Sequence, residues 1–403
     1  MNSEENYKNV NEKWYHKLSR KAKEQWQKFR QNKYFEQILV WSGLGLVFVA
    51  SVVTILCTKT TVNQVEQEPT KYDVTQNADS PYPDKMLAPF VDMVSWVDTT
   101  NNYSINGVPD LGKIYDDIGL DYFNLGFVRV SDSKPLEDDG TIRWCWGGYY
   151  NLSPKGDDGT QYAGIKRSIA NLRSRGGDVI VSVGGQLGKA PWVVSSNVDK
   201  LAQMYLEIID AYGLKRIDLD IEESNQGYEV NLANAKAVKK VQDQTEVEVT
   251  LTIPIMPSGW SSTQENLIKA YLESGVKVKM VNIMAMCYGG GLYSGEDYGD
   301  ASIRAIDNAA GQLSYLYKEV LNKTVSVEDA YKMLGVTVDI GYESSLYPTF
   351  TAEMTRKVAD YANERNLQMF SYWSMNRDAK LQSNKGVNFM YEFFDASLNF
   401  LEK

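Results

Sequence analysis

Apolar and polar positions divide this chain into stretches of different texture. Residues 38–57 (ILVWSGLGLVFVASVVTILC) are twenty consecutive uncharged, mostly apolar positions, which at 1.5 Å rise per residue match a hydrocarbon core of roughly 30 Å. The pattern predicts one transmembrane helix. Residues 58–86 are polar, carry Pro69, Pro81 and Pro83, and show no apolar period, as an extended tether does. From there to residue 403, short β-branched or aromatic runs alternate with longer amphipathic stretches.

Strands are expected near 90–96, 122–130, 178–184, 216–222, 248–255, 279–288, 333–340 and 368–373. Helical patterns lie between them. Examples are YAGIKRSIANLRSR, closed by Gly176 and Gly177, and VDKLAQMYLEIIDAY, closed by Gly213, where glycine supplies a left-handed cap. Eight strands with intervening helices imply an α/β fold, one (β/α)8 TIM barrel over residues 87–403. A doubly wound open sheet is the rival, but no Gly-rich phosphate loop follows the first strand.

Charge assigns sides to these segments. Residues 1–37 hold nine Lys/Arg against five Asp/Glu, whereas residues 58–403 hold 33 against 47. By the positive-inside rule residues 1–37 form a cytoplasmic basic tail, 38–57 a single-pass anchor in the plasma membrane bilayer, 58–86 an extracellular linker, and the barrel is extracellular. A cleavable signal peptide is the competing reading. The long basic region, the full spanning length and the missing small-x-small site favour an uncleaved signal anchor. The acidic outer segment would repel phosphate backbones, so nucleic acid is not an expected partner.

Composition removes further chemistries. The one histidine, His16, lies in the basic tail, which closes Ser-His-Asp, Cys-His and His-metal sites to the barrel. Cys57, Cys145 and Cys287 are far apart in sequence and form no CxxC zinc cluster. An extracellular setting leaves a Cys145–Cys287 disulfide open, although the two follow strands two and six, across the barrel mouth. No metal and no cofactor is expected. Carboxylates must carry any catalysis.

They concentrate in one place. Ile217-Asp218-Leu219-Asp220-Ile221-Glu222 alternates apolar and acidic residues, aiming three carboxylates at one face of the fourth strand. A solvated edge strand shows the same alternation. In a central parallel strand, however, the outward residues should be apolar against helices and the inward ones enclosed. Three inward carboxylates repel one another and resist desolvation, so at least one pKa rises and one carboxyl stays protonated as a general acid. Barrel active sites lie at the carboxyl ends of the strands, which makes Glu222 the candidate acid.

The run RIDLDIE resembles the signature strand of glycoside hydrolase family 18, the chitinases and related endo-β-N-acetylglucosaminidases, whose pattern is DxxDxDxE. Asp218, Asp220 and Glu222 match its last three acidic positions, and Lys215 stands at the first. Other motifs fall in order: VIVSVGG with Ser182, Gly184 and Gly185 matching SxGG, WGGY at 146–149, LTIPIMPSG, VNIMAMCYGG and FSYWSMNRD. The resemblance covers nearly all of residues 87–380.

That resemblance implies hydrolysis of β-1,4-linked N-acetylglucosamine polymers with retention, the substrate's own N-acetyl group acting as nucleophile. It implies Glu222 as acid and base, Asp220 holding the acetamide N–H, and Asp218 deeper, sharing a proton with Asp220. Tyr288 would donate its hydroxyl to the acetamide oxygen, provided that strand six stays regular through Met284, Met286 and Tyr288. Trp373 would form the floor under the reacting sugar. Ser182, Gly184, Gly185, Met286, Trp146 and Trp260 are further candidate substrate-binding residues, with Tyr342 another aromatic at a strand end; core packing is the alternative for Met286 and for Trp146, Trp260 and Tyr342. Relatives usually carry Asp just before the tyrosine, and here Cys287 stands there. A non-catalytic, lectin-like barrel and a hydrolase of peptidoglycan or N-glycans remain the alternatives.

Overall fold

The computed structural model describes Val74 and residues 82–402, apart from residues 158 and 382–385. The expected cytoplasmic tail, the apolar span at 38–57 and almost all of the tether lie outside the described residues. Among the described residues no helix is long and apolar enough to cross a membrane.

Eight parallel strands form the core: β1 (Phe90–Asp92), β2 (Tyr122–Val130), β3 (Asp178–Gly184), β4 (Arg216–Asp220), β5 (Glu248–Pro254), β6 (Val278–Met284), β7 (Leu334–Asp339) and β8 (Met369–Trp373). Each pairs with the next, and β8 closes on β1 through Trp373 and Phe90. A helix follows every strand: α1 (Leu111–Ile118), α2 (Gln161–Arg173), α3 (Val198–Tyr212), α4 (Tyr228–Gln242), α5 (Ser262–Glu273), α6 (Tyr298–Leu321), α7 (Ala352–Glu364) and α8 (Glu392–Ser397). This is the (β/α)8 barrel expected from the alternation of patterns. Trp144–Trp146 adds a short antiparallel partner to β2.

Local chemistry sets the helix ends. Asn197 caps α3 by accepting from the Asp199 and Lys200 amides, and Gly213 ends it at φ 56°, the left-handed conformation that costs glycine least. α2 stops at Arg173 with right-handed Ser174 as its cap, and the left-handed turn at Gly176 comes only afterwards.

Strands end sooner than the apolar pattern does. β1, β4 and β6 stop at Asp92, Asp220 and Met284, because at the mouth the chain leaves the ladder for irregular loops. In β6 the Ala285 amide is shared between Ile283 O and Thr337 O, and Cys287 takes φ 51°. The two-residue alternation is therefore broken before Tyr288.

Inward positions stack in layers from the amino to the carboxyl ends of the strands. Met86, Ala88, Ile180, Met280 and Met369 form an apolar plug at the lower end, backed by Tyr82 and Tyr122. Above it lie Ser182, Asp218, Thr252, Asn282 and Thr337, all buried. At the top stand Asp220, Met284, Asp339 and Trp373. Outward residues of β4, Ile217 and Leu219, together with Ile221, are fully buried in the apolar layer shared with the helices.

Candidate active site

Asp218 and Asp220 point inward from β4 at 1% and 3% exposure. Pairing with β5 continues one residue beyond the strand, through Ile221 N to Thr252 O at 2.9 Å. Glu222 then follows in extended backbone, φ −120° and ψ 168°, before a short 3-10 turn. The alternation therefore survives to Glu222, which is half-buried at the mouth.

The three carboxyl groups have different surroundings. Asp218 accepts Ser182 Oγ and Thr252 Oγ1, each at 2.6 Å, one on either oxygen. Burial pushes its pKa up to about 6 against the pull of those hydroxyls. Asp220 lies well above the ordinary carboxylate range, first through burial and then through the charges of Glu222 and Asp218; its side chain also hydrogen-bonds Glu222. Like charges this close titrate as a set. Asp220 Oδ1 is buried and has no hydrogen-bond partner among the described residues, leaving one acceptor unsatisfied.

A glycine lets β3 approach β4. A Cβ on Gly184, at φ 122°, would lie 2.0 Å from the Asp220 carbonyl oxygen. Gly185 N donates to that same oxygen at 3.1 Å. Ser182 spends its hydroxyl on Asp218 and is fully buried. These three expected substrate contacts instead build the carboxylate strand's setting.

Trp373, at the end of β8, is partly exposed and stacks on Phe127, with ring centroids 5.5 Å apart and planes at 25°. Phe90 packs beside both. An indole held in this way offers a fixed apolar face. Met286 and Cys287 are also partly accessible, after β6.

Three expected contacts are buried. Tyr288 follows the break in β6 alternation, with its hydroxyl 3.3 Å from Ser302 Oγ and its ring edge-on to Tyr298, both on α6. Trp146 is fully buried, donating its indole N–H to Tyr212 Oη of α3 at 2.8 Å. Trp260 is 5% exposed and exchanges backbone hydrogen bonds with the Gln312 amide of α6. For the two tryptophans core packing is what the structure displays. The WGGY segment exposes Tyr149 instead, and Trp96, Tyr293 and Tyr342 are also exposed on loops at the carboxyl ends of strands.

A second charged group closes the mouth beside Trp373. Asp339, paired in register with Trp373, receives the Cys287 thiol at 3.3 Å and forms an ion pair with Arg377. Arg377, 3% exposed, also binds Glu343 and donates to the Ile340 carbonyl at 3.0 Å. Burial raises Asp339 to about 6 although Arg377 pulls the other way. Cys145 and Cys287 are both free. Asp339 and Arg377 were legible as an inward polar position on strand seven and a cation in FSYWSMNRD, yet nothing in sequence joins them.

Comparison with known proteins agrees with this arrangement. The family described as Glycosyl hydrolases family 18 matches residues 92–347, the span that holds the three carboxylates. The chain is 30% identical over 321 residues to the "Probable bifunctional chitinase/lysozyme" of Escherichia coli (strain K12), covering 76% of this chain and 32% of that protein. It is 30% identical over 310 residues to "Endochitinase 11" of Metarhizium anisopliae, covering 74% and 53%. It thus spans about a third and about half of these curated relatives. The catalytic domain of a hyperthermophilic chitinase from Pyrococcus furiosus shares the fold at a TM-score of 0.64, with 24% identity and coverage of 80% of this chain and 96% of that one. With the barrel, the inward acidic strand and a family match over most of the described residues, the chain belongs to glycosyl hydrolases family 18.

Proposed function

We propose that this protein is a glycosidase that hydrolyses β-1,4-linked N-acetylglucosamine in chitin-like polymers, with the substrate's acetamide as nucleophile. The observation that carries the reading is the Asp220 side chain, hydrogen-bonded to Glu222 on one side and unpartnered at Oδ1 on the other. Asp220 would pass its neighbour a proton on one side and hold the acetamide N–H on the other. Glu222, half-buried at the mouth, protonates the leaving glycosidic oxygen and then deprotonates the attacking water. This is the substrate-assisted exception to the two-carboxylate scheme. Trp373 is the floor for the apolar face of the reacting sugar, and Met286 lines its edge. Tyr288 could serve the acetamide oxygen only after its hydroxyl leaves Ser302.

The proposal includes the location. The twenty-residue apolar run and the change from basic to acidic flanks support a single-pass anchor with the barrel outside. The name of the Escherichia coli relative joins chitinase to lysozyme, which favours peptidoglycan as the second substrate reading. A lectin-like barrel is disfavoured by Glu222, since binding alone needs no acid at that position.

The test is product analysis after the full chain meets chitin oligomers, an N-linked glycopeptide and peptidoglycan, beside Glu222→Gln. Chitin-oligomer cleavage lost by about 10²–10⁴-fold in the variant is expected. Binding of oligosaccharides without cleavage by the unaltered chain would establish the lectin reading instead.

A further inference from the structure

Beneath the acidic residues, one hydrogen-bonded belt crosses five neighbouring strands. Ser182 on β3 and Thr252 on β5 donate to opposite oxygens of Asp218 on β4. Thr252 Oγ1 accepts from Asn282 Nδ2 on β6 at 3.0 Å. Asn282 exchanges hydrogen bonds with Thr337 on β7, at 2.8 and 3.0 Å. None of the five is more than 2% exposed. Branched apolar residues fill this layer in many barrels, and buried polar groups are costly unless satisfied, so filling space does not explain it.

Proton direction along the belt is determined from one end. A carboxylate only accepts, so Thr252 must give Asp218 its single proton and offer a lone pair to its other neighbour. That neighbour must be a donor, which places the Asn282 NH2 there. With the amide turned over, Asn282 Oδ1 would compete for the same proton. Thr337, able to donate and accept, accommodates either orientation.

We propose that Asn282 is a positioning residue for the hydrolysis inferred above: it commits the Thr252 proton to Asp218, keeps that carboxylate anionic, and so confines the shared proton to Asp220 and Glu222. The inference rests on the hydrolase reading for its consequence in catalysis, but not for its effect on Asp218. Burial drives Asp218 towards the protonated form and the Ser182 and Thr252 bonds oppose it, which is the balance Asn282 would bias.

The experiment compares the full chain with Asn282→Asp, Thr252→Val and Thr252→Ser. Asn282→Leu, similar in size and uncharged, replaces the first if it does not fold. Two quantities are read: the pH dependence of kcat and KM on a fluorogenic chitobioside, and the carboxyl-carbon NMR titration of Asp218, identified by its loss in Asp218→Asn. Asn282→Asp and Thr252→Val should each raise the Asp218 titration by about one unit and lower kcat about tenfold, with KM within about twofold. Thr252→Ser should restore most of the profile, and Asn282→Leu combined with Thr252→Val should be no worse than Thr252→Val alone, because both act through one hydroxyl. Variants that only lower the unfolding temperature while the Asp218 titration stays in place, or losses that multiply in the double variant, would overturn the proposal. If the unaltered chain cleaves no glycan, the hydrolase reading fails, and the titration alone decides this one.

Discussion

The Cys287 thiol lies 3.3 Å from Asp339 Oδ2, so at the mouth this protein places a neutral donor against a buried carboxylate. Burial first, then the negative charge of Asp339, raises the thiol above its usual range. Because the thiolate is the nucleophile, iodoacetamide at mildly alkaline pH should alkylate Cys287 at least about tenfold more slowly than an unhindered thiol. Asp339→Asn should accelerate it. Cys145, fully buried, should be slower still, because the reagent cannot reach it. Peptide mass spectrometry over time reads all three rates.

Arg377 is the cation that makes Asp339 and Glu343 compatible. Removing one partner of a buried pair leaves an uncompensated charge and costs about 3–5 kcal/mol. Arg377→Met should lose roughly that much in denaturant unfolding, and Asp339→Asn in the same chain should recover part of it. Equal losses in the single and double variants would show that the arginine acts by packing alone.

The tryptophans should separate by what they disturb. Trp146→Phe removes the donor to Tyr212 and should cost stability by about 2 kcal/mol with little change in glycan turnover. Trp373→Ala, at the mouth, should reduce kcat/KM by more than about tenfold while stability falls less. Calorimetry and kinetics on both variants make the comparison.

Three buried carboxyls, Asp218, Asp339 and Asp378, are each raised to about 6 from 3.8. Their folded pKa exceeds the unfolded one, so between about pH 4 and 6 the native state binds more protons and stability falls as pH rises. Surface acids with lowered pKa, such as Asp139 at about 2, lose their contribution only in stronger acid. The thermal midpoint should therefore be higher near pH 5 than at pH 7.5, and Asp378→Asn should lessen that slope. A midpoint that climbs steadily across this range would contradict the assignment.

At Gly184 a side chain meets backbone rather than a flexible neighbour. Gly184→Ala should lower soluble yield and activity together, whereas Gly140→Ala, left-handed too but with nothing within 4 Å of its Cβ, should cost only the backbone strain, about 1 kcal/mol. Expression yield and unfolding midpoints test the pair.

The amino-acid sequence by itself determined the eight-strand alternation, the inward aim of Asp218 and Asp220, and the mouth position of Glu222, because side-chain direction in a strand follows a local period of two that needs no distant partner. It also marked the FSYWSMNRD and SxGG segments. What it could not contain was anything decided across strands or by a break in that period. Ser182, Gly184 and Gly185 looked like a binding motif, but register with β4 turns them towards Asp218 and the Asp220 backbone. Tyr288 kept the parity of Met284 and Met286 only on paper, since the chain leaves the ladder after Met284 and the hydroxyl ends on Ser302. Trp146 and Trp260 are buried against α3 and α6, whereas Trp373 ends a barrel strand and stays partly exposed. Asp339, Arg377 and Cys287 are separated by 38 and 52 positions yet share one cluster, as do Thr252, Asn282 and Thr337. Such groupings depend on barrel closure and strand register, which bring distant residues together through burial and hydrogen bonding, and only the tertiary structure decides them.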